Sequence, residues 1–239
     1  MGEFKSYLAY GIFADTVAYH SRYRYRVETD EFLARVQETG EGRAFTLPAN
    51  TTLYRAQLGH EGERWGSEVA PYPTHRMKPK HRAAKEGRVN PKGIPCLYLA
   101  DNVDTAISEV RPWIDAYVSV GHFRTVRDLK IMDCAAQAKC VTNTSSSESV
   151  WGDIAKAFSE PVTDSDDKAE YAPTQILAEV FQQIKCDGIK YTSLLGKGGN
   201  SFALFELKDA DLFRCALHMT KTLCYDFSDE IEHYHVAPH

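Results

Sequence analysis

Three polar side chains lie within short apolar segments of the sequence, where they could form a buried binding site. Arg55 lies within LYRAQL, Tyr98 lies within CLYLA, and Ser193 follows Ile189 and Tyr191 at a spacing of two. Alternate residues of a strand face the same side, so these last three side chains should share one face. A buried arginine costs free energy unless an acid or an anion pairs with it. Taken singly, each residue also has an ordinary explanation: a salt-bridged arginine, a packed tyrosine or a surface serine.

Arg88 and Glu109 extend this set to either side of Tyr98. Arg88 belongs to the turn GRVNP before a strand, and Glu109 lies near the end of the short helix after it. That helix has an apolar stripe at positions i, i+3, i+4 and i+7, which are Val103, Ala106, Ile107 and Val110. Glu109 lies on the flank of the stripe, where a carboxylate can face a cleft.

The glycine-rich segment GKGGN at 196–200 joins two predicted strands and ends at Asn200. It lacks the spacing of a phosphate-binding P-loop and is typical of a flexible hairpin loop. The sequence also contains no G-x-G-x-x-G, no G-x-S-x-G and no H-E-x-x-H. We therefore expect neither a metal ion nor a bound cofactor.

The six cysteines include no C-x-x-C pair, and Cys96 and Cys186 lie in apolar segments. This pattern favours buried, reduced thiols and a cytoplasmic protein over disulfides or zinc. His233, His235 and His239 crowd the C-terminus, where a solvated tail is a better interpretation than a metal site.

Composition excludes several other classes of protein. The 239 residues carry a net charge of −5, which argues against direct nucleic-acid binding. No apolar run approaches the ~18 residues of a membrane span. Glu3, Lys5 and Asp15 interrupt any apolar signal segment at the N-terminus. We expect no membrane partner, and the oligomeric state is not indicated.

Residues 1–47 are predicted to form a mostly helical extension, in which Phe32, Leu33 and Val36 share one helix face. The run SRYRYRVE at 21–28 alternates arginine with tyrosine and valine, which favours a strand or an extended segment. An RNA-stacking surface is the less favoured alternative because the chain is acidic overall.

The remaining pattern predicts an α+β fold, because strands and helices do not alternate regularly. Strands are expected over residues 50–58, 94–100, 117–125, 129–134, 189–194 and 201–207. Helices are expected from Asp101 or Asn102 to Pro112, and from Thr174 to Lys185. Loops are expected over 59–87, with a helical piece near 81–86, and over 142–149 and 164–167.

Taken together, these segments resemble the RES domain, a family named for its arginine, glutamate and serine. The matching segments occur in the family's order: LYRA at 53–56, GRVNPKGIPCLYLA at 87–100, DTAISEVRP at 104–112, YAPTQILAEV at 171–180 and DGIKYTSLLGKGGNSFALF at 187–205. The resemblance covers residues 48–215, which leaves 1–47 as an extension and 216–239 as a tail. The extension and the insert at 59–87 depart from the short toxins of the family.

The resemblance implies an ADP-ribosyltransferase-like fold, with a split, twisted β-sheet core and flanking helices. It implies that NAD⁺ is the substrate, and characterised members hydrolyse it, phosphorolyse it or transfer ADP-ribose to a protein. Many members are bacterial toxins paired with an Xre-type antitoxin. We therefore expect an NAD⁺ glycohydrolase or phosphorylase acting as such a toxin, with phosphate and an antitoxin as further partners. The alternatives are a protein ADP-ribosyltransferase and a non-catalytic nucleotide- or partner-binding module.

The resemblance also assigns roles to residues. It implies that Glu109, Arg88, Tyr98 and Ser193 act in catalysis, and that NAD⁺ is bound by Arg55, Arg88, Tyr98, Ser193 and Asn200. Cleavage at C1′ of ribose passes through a cation-like state, which a carboxylate such as Glu109 can stabilise. The two arginines can fork onto the pyrophosphate, and Tyr98 can stack on the nicotinamide. Ser193 can bond the ribose or orient the acceptor.

Overall fold

The computed structural model describes residues 3–24, 26–62, 69–80, 82–135, 146–160, 168–195 and 198–224. The predicted loop at 164–167, the first half of the loop at 142–149 and the three C-terminal histidines lie outside these residues. None of the helices among the described residues has both the length and the apolar character that crossing a membrane requires.

In the described part of the chain, one open, mixed sheet of eight strands forms the centre of the fold, in the order β1-β5-β6-β7-β3-β2-β4-β8. The strands are β1 Ala44–Leu47, β2 Thr52–Leu58, β3 Leu97–Ala100, β4 Tyr117–Thr125, β5 Leu129–Asp133, β6 Gly188–Thr192, β7 Asn200–Leu204 and β8 Ala210–Met219. Neighbouring strands run antiparallel except β5 and β6, which are parallel. The predicted α+β class, with a twisted sheet core and flanking helices, is confirmed.

The sheet nearly divides between β2 and β3. Among the described residues, these two strands share the single register pair Tyr54↔Ala100. By contrast, β2 pairs with β4 continuously from Thr52↔Arg124 to Leu58↔Val118. The sheet therefore consists of five strands on one side and three on the other, joined at one point.

The helices are α1 Ala9–Asp15, α2 Val27–Gly40, α3 Thr74–Met77, α4 Val103–Glu109, α5 Ser146–Ser159 and α6 Ala172–Gln183. On one face of the sheet, α1, α2, α5 and α6 share a buried cluster that includes Phe13, Phe32, Phe158 and Phe181. On the other face, Met77 of α3 packs in a second cluster with Leu53, Leu97 and Phe123. Part of the long insert thus covers a sheet face that would otherwise be exposed.

Most predicted elements are present within a few residues of their expected ends. The six predicted strands correspond to β2 through β7, and the three predicted helices correspond to α2, α4 and α6. The edge strands β1 and β8 were not predicted. The domain boundaries expected after residues 47 and 215 stay a prediction. Strand β1 ends at the first of these boundaries, and strand β8 continues across the second.

Three local predictions were wrong. Of the two alternatives for residues 21–28, the strand was wrong: the described residues 21–24 and 26 contain no strand, and α2 begins at Val27. Arg22 donates hydrogen bonds back to the carbonyls of Val17 and Ala18, while Ser21 and Arg26 have extended backbone. The polar residues from Ser146 onward are the first turn of α5, whose later residues are buried. Residues 82–86 contain no helix, and the short helix of the insert lies earlier, at Thr74–Met77.

The cysteines agree with the prediction of reduced thiols. Cys96, Cys134 and Cys186 are buried and unpaired. Burial raises the pKa of the Cys96 thiol to about 12, so this side chain is an inert part of the core.

Candidate active site

A cavity of about 320 Å³ lies where β2 and β3 separate. Strands, helix α4 and the turn before β3 all contribute to its wall. The lining residues are Tyr54, Arg55, Ala56, Gly87, Arg88, Tyr98, Leu99, Ala100, Ala106, Glu109, Val110, Tyr191 and Ser201. Four of the six predicted site residues, Arg55, Arg88, Tyr98 and Glu109, therefore surround one space.

Arg55 reaches into the opening between the two strands. Its Nη1 donates a hydrogen bond to the carbonyl oxygen of Tyr98 at 3.1 Å, and its buried Nε has no hydrogen-bond partner. Among the described residues, no carboxylate forms a salt bridge with Arg55. Burial lowers the pKa of the Arg55 guanidinium from its ordinary value, because a desolvated cation is disfavoured. A bound anion would satisfy both the charge and the free N–H.

Arg88 brings a second cation to the same cavity. Its guanidinium donates hydrogen bonds to the carbonyls of Phe158 and Glu160, at the end of α5, and lies 5.5 Å from the centre of the Tyr191 ring. Its Nε is also buried without a partner. Carbonyls at a helix C-terminus attract a cation but do not cancel its charge. No salt bridge joins Arg88 to a carboxylate in the described part of the chain.

Tyr98 holds the turn that carries Arg88. The Tyr98 hydroxyl donates to Asn90 Oδ1 at 2.7 Å and accepts from the backbone N–H of Val89 at 3.0 Å. A Cβ on Gly87 would lie 2.7 Å from this hydroxyl, so the turn needs glycine there. Burial raises the pKa of Tyr98 well above its ordinary value. Its hydroxyl is thus fully bonded and neutral, and its ring forms the cavity wall.

Helix α6 supports the same turn from the other side. Gln175 Nε2 donates to the carbonyls of Gly87 at 2.9 Å and Asn90 at 3.1 Å. Thr174 Oγ1 donates to the carbonyl of Arg88 at 2.7 Å. The backbone carbonyls of Gly87, Arg88 and Asn90 thus each accept a hydrogen bond from α6. The position of Arg88 therefore depends on a helix more than 80 residues away in sequence.

Glu109 is the last residue of α4, and two serine hydroxyls bind its carboxylate. Ser193 Oγ donates to Glu109 Oε1 at 2.6 Å, and Ser201 Oγ lies 3.2 Å from the same oxygen. Asn102 fixes the start of the helix, because its side chain accepts a hydrogen bond from the backbone N–H of Thr105. Ser193 is buried and reaches the cavity only through Glu109.

Asn200 is the predicted residue that lies apart from this group. Its side-chain Nδ2 and its backbone N–H both donate to Asp101 Oδ2, at 2.9 and 3.0 Å. These bonds, and one from Thr105 Oγ1 to the carbonyl of Gly198, hold residues 198–200 against the start of α4. Gly199 has a φ of +155° there. Asn200 does not line the cavity, so its contact with a ligand stays a prediction.

The sequence pattern missed three polar lining residues: Tyr54, Tyr191 and Ser201. Tyr191 could have been found, because it shares the strand face of Ser193. Ser201 could not, because it lies opposite Tyr191 only through the register of β6 with β7.

A second cavity, of about 500 Å³, lies among the N-terminal residues. Its floor contains Phe4, Phe13 and Phe32. Of its three cations, Lys5 and Arg35 form salt bridges with glutamates, and Arg26 is exposed to solvent. It contains none of the predicted site residues. Although this cavity is larger, the arginines without carboxylate partners and the carboxylate held by serines make the smaller one the candidate site.

Comparison with known proteins gives a family and a solved structure. A family model described as the RES domain matches residues 52–228. The fold is similar to a chain in the crystal structure of the M. tuberculosis MbcT–MbcA toxin–antitoxin complex, with 16% identity and a TM-score of 0.45. The similarity covers 78% of this chain and 92% of that chain. No curated protein matches the sequence.

Tyr98→Phe should destabilise the protein although it keeps the ring that forms the cavity wall. It leaves the backbone N–H of Val89 and the side-chain Oδ1 of Asn90 without their partner, which should lower the free energy of unfolding by about 1–3 kcal/mol. Urea unfolding measures this change. Tyr54→Phe is the matched control, because Tyr54 lines the same cavity without such bonds. Equal stability of the two variants would contradict the anchoring role of Tyr98.

Proposed function

Because the chain belongs to the RES domain family, we propose that it is an NAD⁺-consuming enzyme that cleaves the bond between nicotinamide and ribose. The observation that carries this proposal is the charge pattern of the smaller cavity. Two arginines without carboxylate partners among the described residues, Arg55 and Arg88, face the same space as Glu109. NAD⁺ has the complementary pattern, with an anionic pyrophosphate next to a ribose that becomes positive in the reaction.

The arginines suit the pyrophosphate. Planar guanidinium groups match phosphate oxygens in a bidentate fork, which a lysine ammonium cannot reproduce. Arg55 offers its unpaired Nε and the part of its guanidinium that does not bond Tyr98. Burial has already removed water from the Arg55 guanidinium, so little screening weakens its attraction for a phosphate.

The carboxylate suits the ribose. As nicotinamide leaves, positive charge develops at C1′, and a carboxylate that accepts a ribose hydroxyl also stabilises that charge. Glu109 is held by Ser193 and Ser201 through one oxygen, so the other oxygen is available to the substrate. The rings of Tyr54, Tyr98 and Tyr191 line the same cavity and offer apolar walls to the nicotinamide ring.

The size of the cavity favours one half of a dinucleotide. Its volume of about 320 Å³ is near the lower end of the ~300–1,000 Å³ typical of small-molecule sites. The nicotinamide riboside end and the pyrophosphate would occupy it, and the adenosine would lie outside.

The acceptor at C1′ is water or phosphate. With water, a hydroxyl adds to C1′, a proton is released, and the products are ADP-ribose and nicotinamide. With phosphate, a phosphate oxygen adds to C1′, and ADP-ribose 1″-phosphate forms instead. Mass analysis of the products in phosphate buffer distinguishes the two reactions. ADP-ribose attached to protein would instead favour an ADP-ribosyltransferase.

We also propose that this activity makes the protein a toxin controlled by an antitoxin of the Xre type. The proposal rests on membership of the RES domain family. An unregulated enzyme of this kind would drain a shared cytoplasmic pool of NAD⁺.

Glu109→Gln should keep the fold but lower nicotinamide release by about 10²–10³-fold, because the amide can bond a ribose hydroxyl but supplies no negative charge. Glu109 is exposed at the end of α4, so the change should cost little stability. The measurement pairs a melting curve with a nicotinamide-release assay.

Asp104→Asn is the control for this variant, since it neutralises another exposed carboxylate of α4 that lies outside the cavity. It should release nicotinamide at the parent rate. A Glu109→Gln protein that melts and turns over like the parent would remove Glu109 from the mechanism.

Arg55→Lys should not rescue the loss caused by Arg55→Ala. Lysine keeps the charge but loses the planar fork, so NAD⁺ binding should weaken by about 1.5–3 kcal/mol in both variants. Calorimetric titration in the Glu109→Gln background measures affinity without turnover. Arg124→Lys, on β4 and outside the cavity, is the control. Parent-like affinity of Arg55→Lys would leave Arg55 with a structural role.

Expression of the active protein in bacteria should lower cellular NAD⁺ and slow growth, whereas Glu109→Gln at the same level should do neither. Extracted NAD⁺ and growth rate are measured together. Normal growth and normal NAD⁺ at high levels of a protein that releases nicotinamide in vitro would contradict the toxin role while leaving the enzymatic activity intact.

A further inference from the structure

We propose that Ser201 is a positioning residue for Glu109, an inference that rests on the proposed function of the cavity. Its hydroxyl and that of Ser193 hold the same oxygen of the Glu109 carboxylate, so the second oxygen is turned toward the ligand. The resemblance to the RES domain points to Ser193 alone, whereas the geometry adds Ser201 as its partner.

The two hydroxyls meet at one atom. Ser193 Oγ lies 2.6 Å and Ser201 Oγ lies 3.2 Å from Glu109 Oε1. Glu109 Oε2 has no hydrogen bond to any other described residue. Each serine is only 3% exposed, so neither hydroxyl can replace this bond with bulk water. Two buried donors on one oxygen restrict the carboxylate much more than one donor does.

The sheet explains why two serines so far apart in sequence meet there. Tyr191 of β6 lies directly opposite Ser201 of β7, and Ser193 follows Tyr191 by two positions. On its other side, Ser201 is opposite Ala100 of β3, which lines the cavity. Ser193 and Ser201 therefore project from the same face of adjacent strands, beneath the end of α4.

Glu109 needs this support because its own helix supplies little. Helix α4 has seven residues, and Glu109 is its exposed last residue. A free glutamate at such a position samples many rotamers and loses them only when something binds it. Fixing the carboxylate before the substrate arrives means that no reorganisation is needed as charge develops at C1′. A small misplacement of such a group can cost a large factor in rate.

Ser201 differs from Ser193 in its access to the ligand. Ser201 lines the cavity, whereas Ser193 lies behind Glu109. The backbone N–H of Leu195 donates to Ser193 Oγ at 3.2 Å, which orients that hydroxyl toward the carboxylate. Ser201 thus binds the Glu109 carboxylate from the side of the cavity, and Ser193 binds it from the buried side.

Ser201→Ala should lower kcat for nicotinamide release by about 10–100-fold and leave KM within about twofold. A purely structural serine would lower the melting temperature and the active fraction but leave kcat per folded molecule at the parent value. Ser108→Ala is the control, since Ser108 precedes Glu109 on α4 and lies outside the cavity.

Ser201→Cys is a second variant, which tests the proposal if Ser201→Ala does not fold. It nearly preserves the side-chain volume but is a weak donor, so it should fold and show the same loss of kcat. A parent-like kcat in a folded Ser201→Ala or Ser201→Cys protein would overturn the proposal.

A crystal structure of Ser201→Ala separates this proposal from the proposed function. If the parent protein releases no nicotinamide, the proposed function fails, and the structure alone decides the role of Ser201. Displacement of the Glu109 carboxylate from its position on Ser193 would support positioning. An unchanged carboxylate would overturn it.

Discussion

The site depends on one hydrogen bond, between the Arg55 guanidinium and the carbonyl oxygen of Tyr98. The strands β2 and β3 share the pair Tyr54↔Ala100 and then separate, so the arginine occupies the opening that a continued ladder would have closed. This arrangement leaves a cation with little water around it, and its Nε has no partner. A cavity lined by a buried cation without a carboxylate partner thus follows from an interrupted sheet, because the interruption creates the space that the arginine occupies.

The second cation depends on three elements that are distant in sequence. The Tyr98 hydroxyl, the side chains of α6 and the end of α5 each bond the turn or the guanidinium of Arg88. Such a network is rigid because nearly all of its polar groups are satisfied. Arg88 is therefore held in one position at the cavity, and its buried Nε has no hydrogen-bond partner. Glu109 of α4 lines the same cavity, so two cations and one carboxylate border a single space.

Several features could be predicted from the sequence for clear physical reasons. Asn102 caps α4 and the apolar stripe of that helix packs on the sheet, so the position of Glu109 on its flank followed from helical periodicity. Arg55 was a candidate because a short apolar strand cannot solvate a guanidinium. In contrast, α5 was mistaken at its start for a loop, since its first turn is made of polar residues and its buried face begins only at Val150.

The sequence by itself determined the types of the chemical groups, the strands and helices that carry them, and membership of the RES domain family. The tertiary structure decided which of these groups meet. Periodicity shows the face of a strand but not its neighbour or its register, so the pairing of Ser201 with Tyr191 could not be read from local pattern. The bonds that complete the site join residues 70 and 92 positions apart, as in Arg88 with Phe158 and Ser201 with Glu109. Contacts of this kind exist only after the sheet has assembled, because no local propensity distinguishes one distant partner from another.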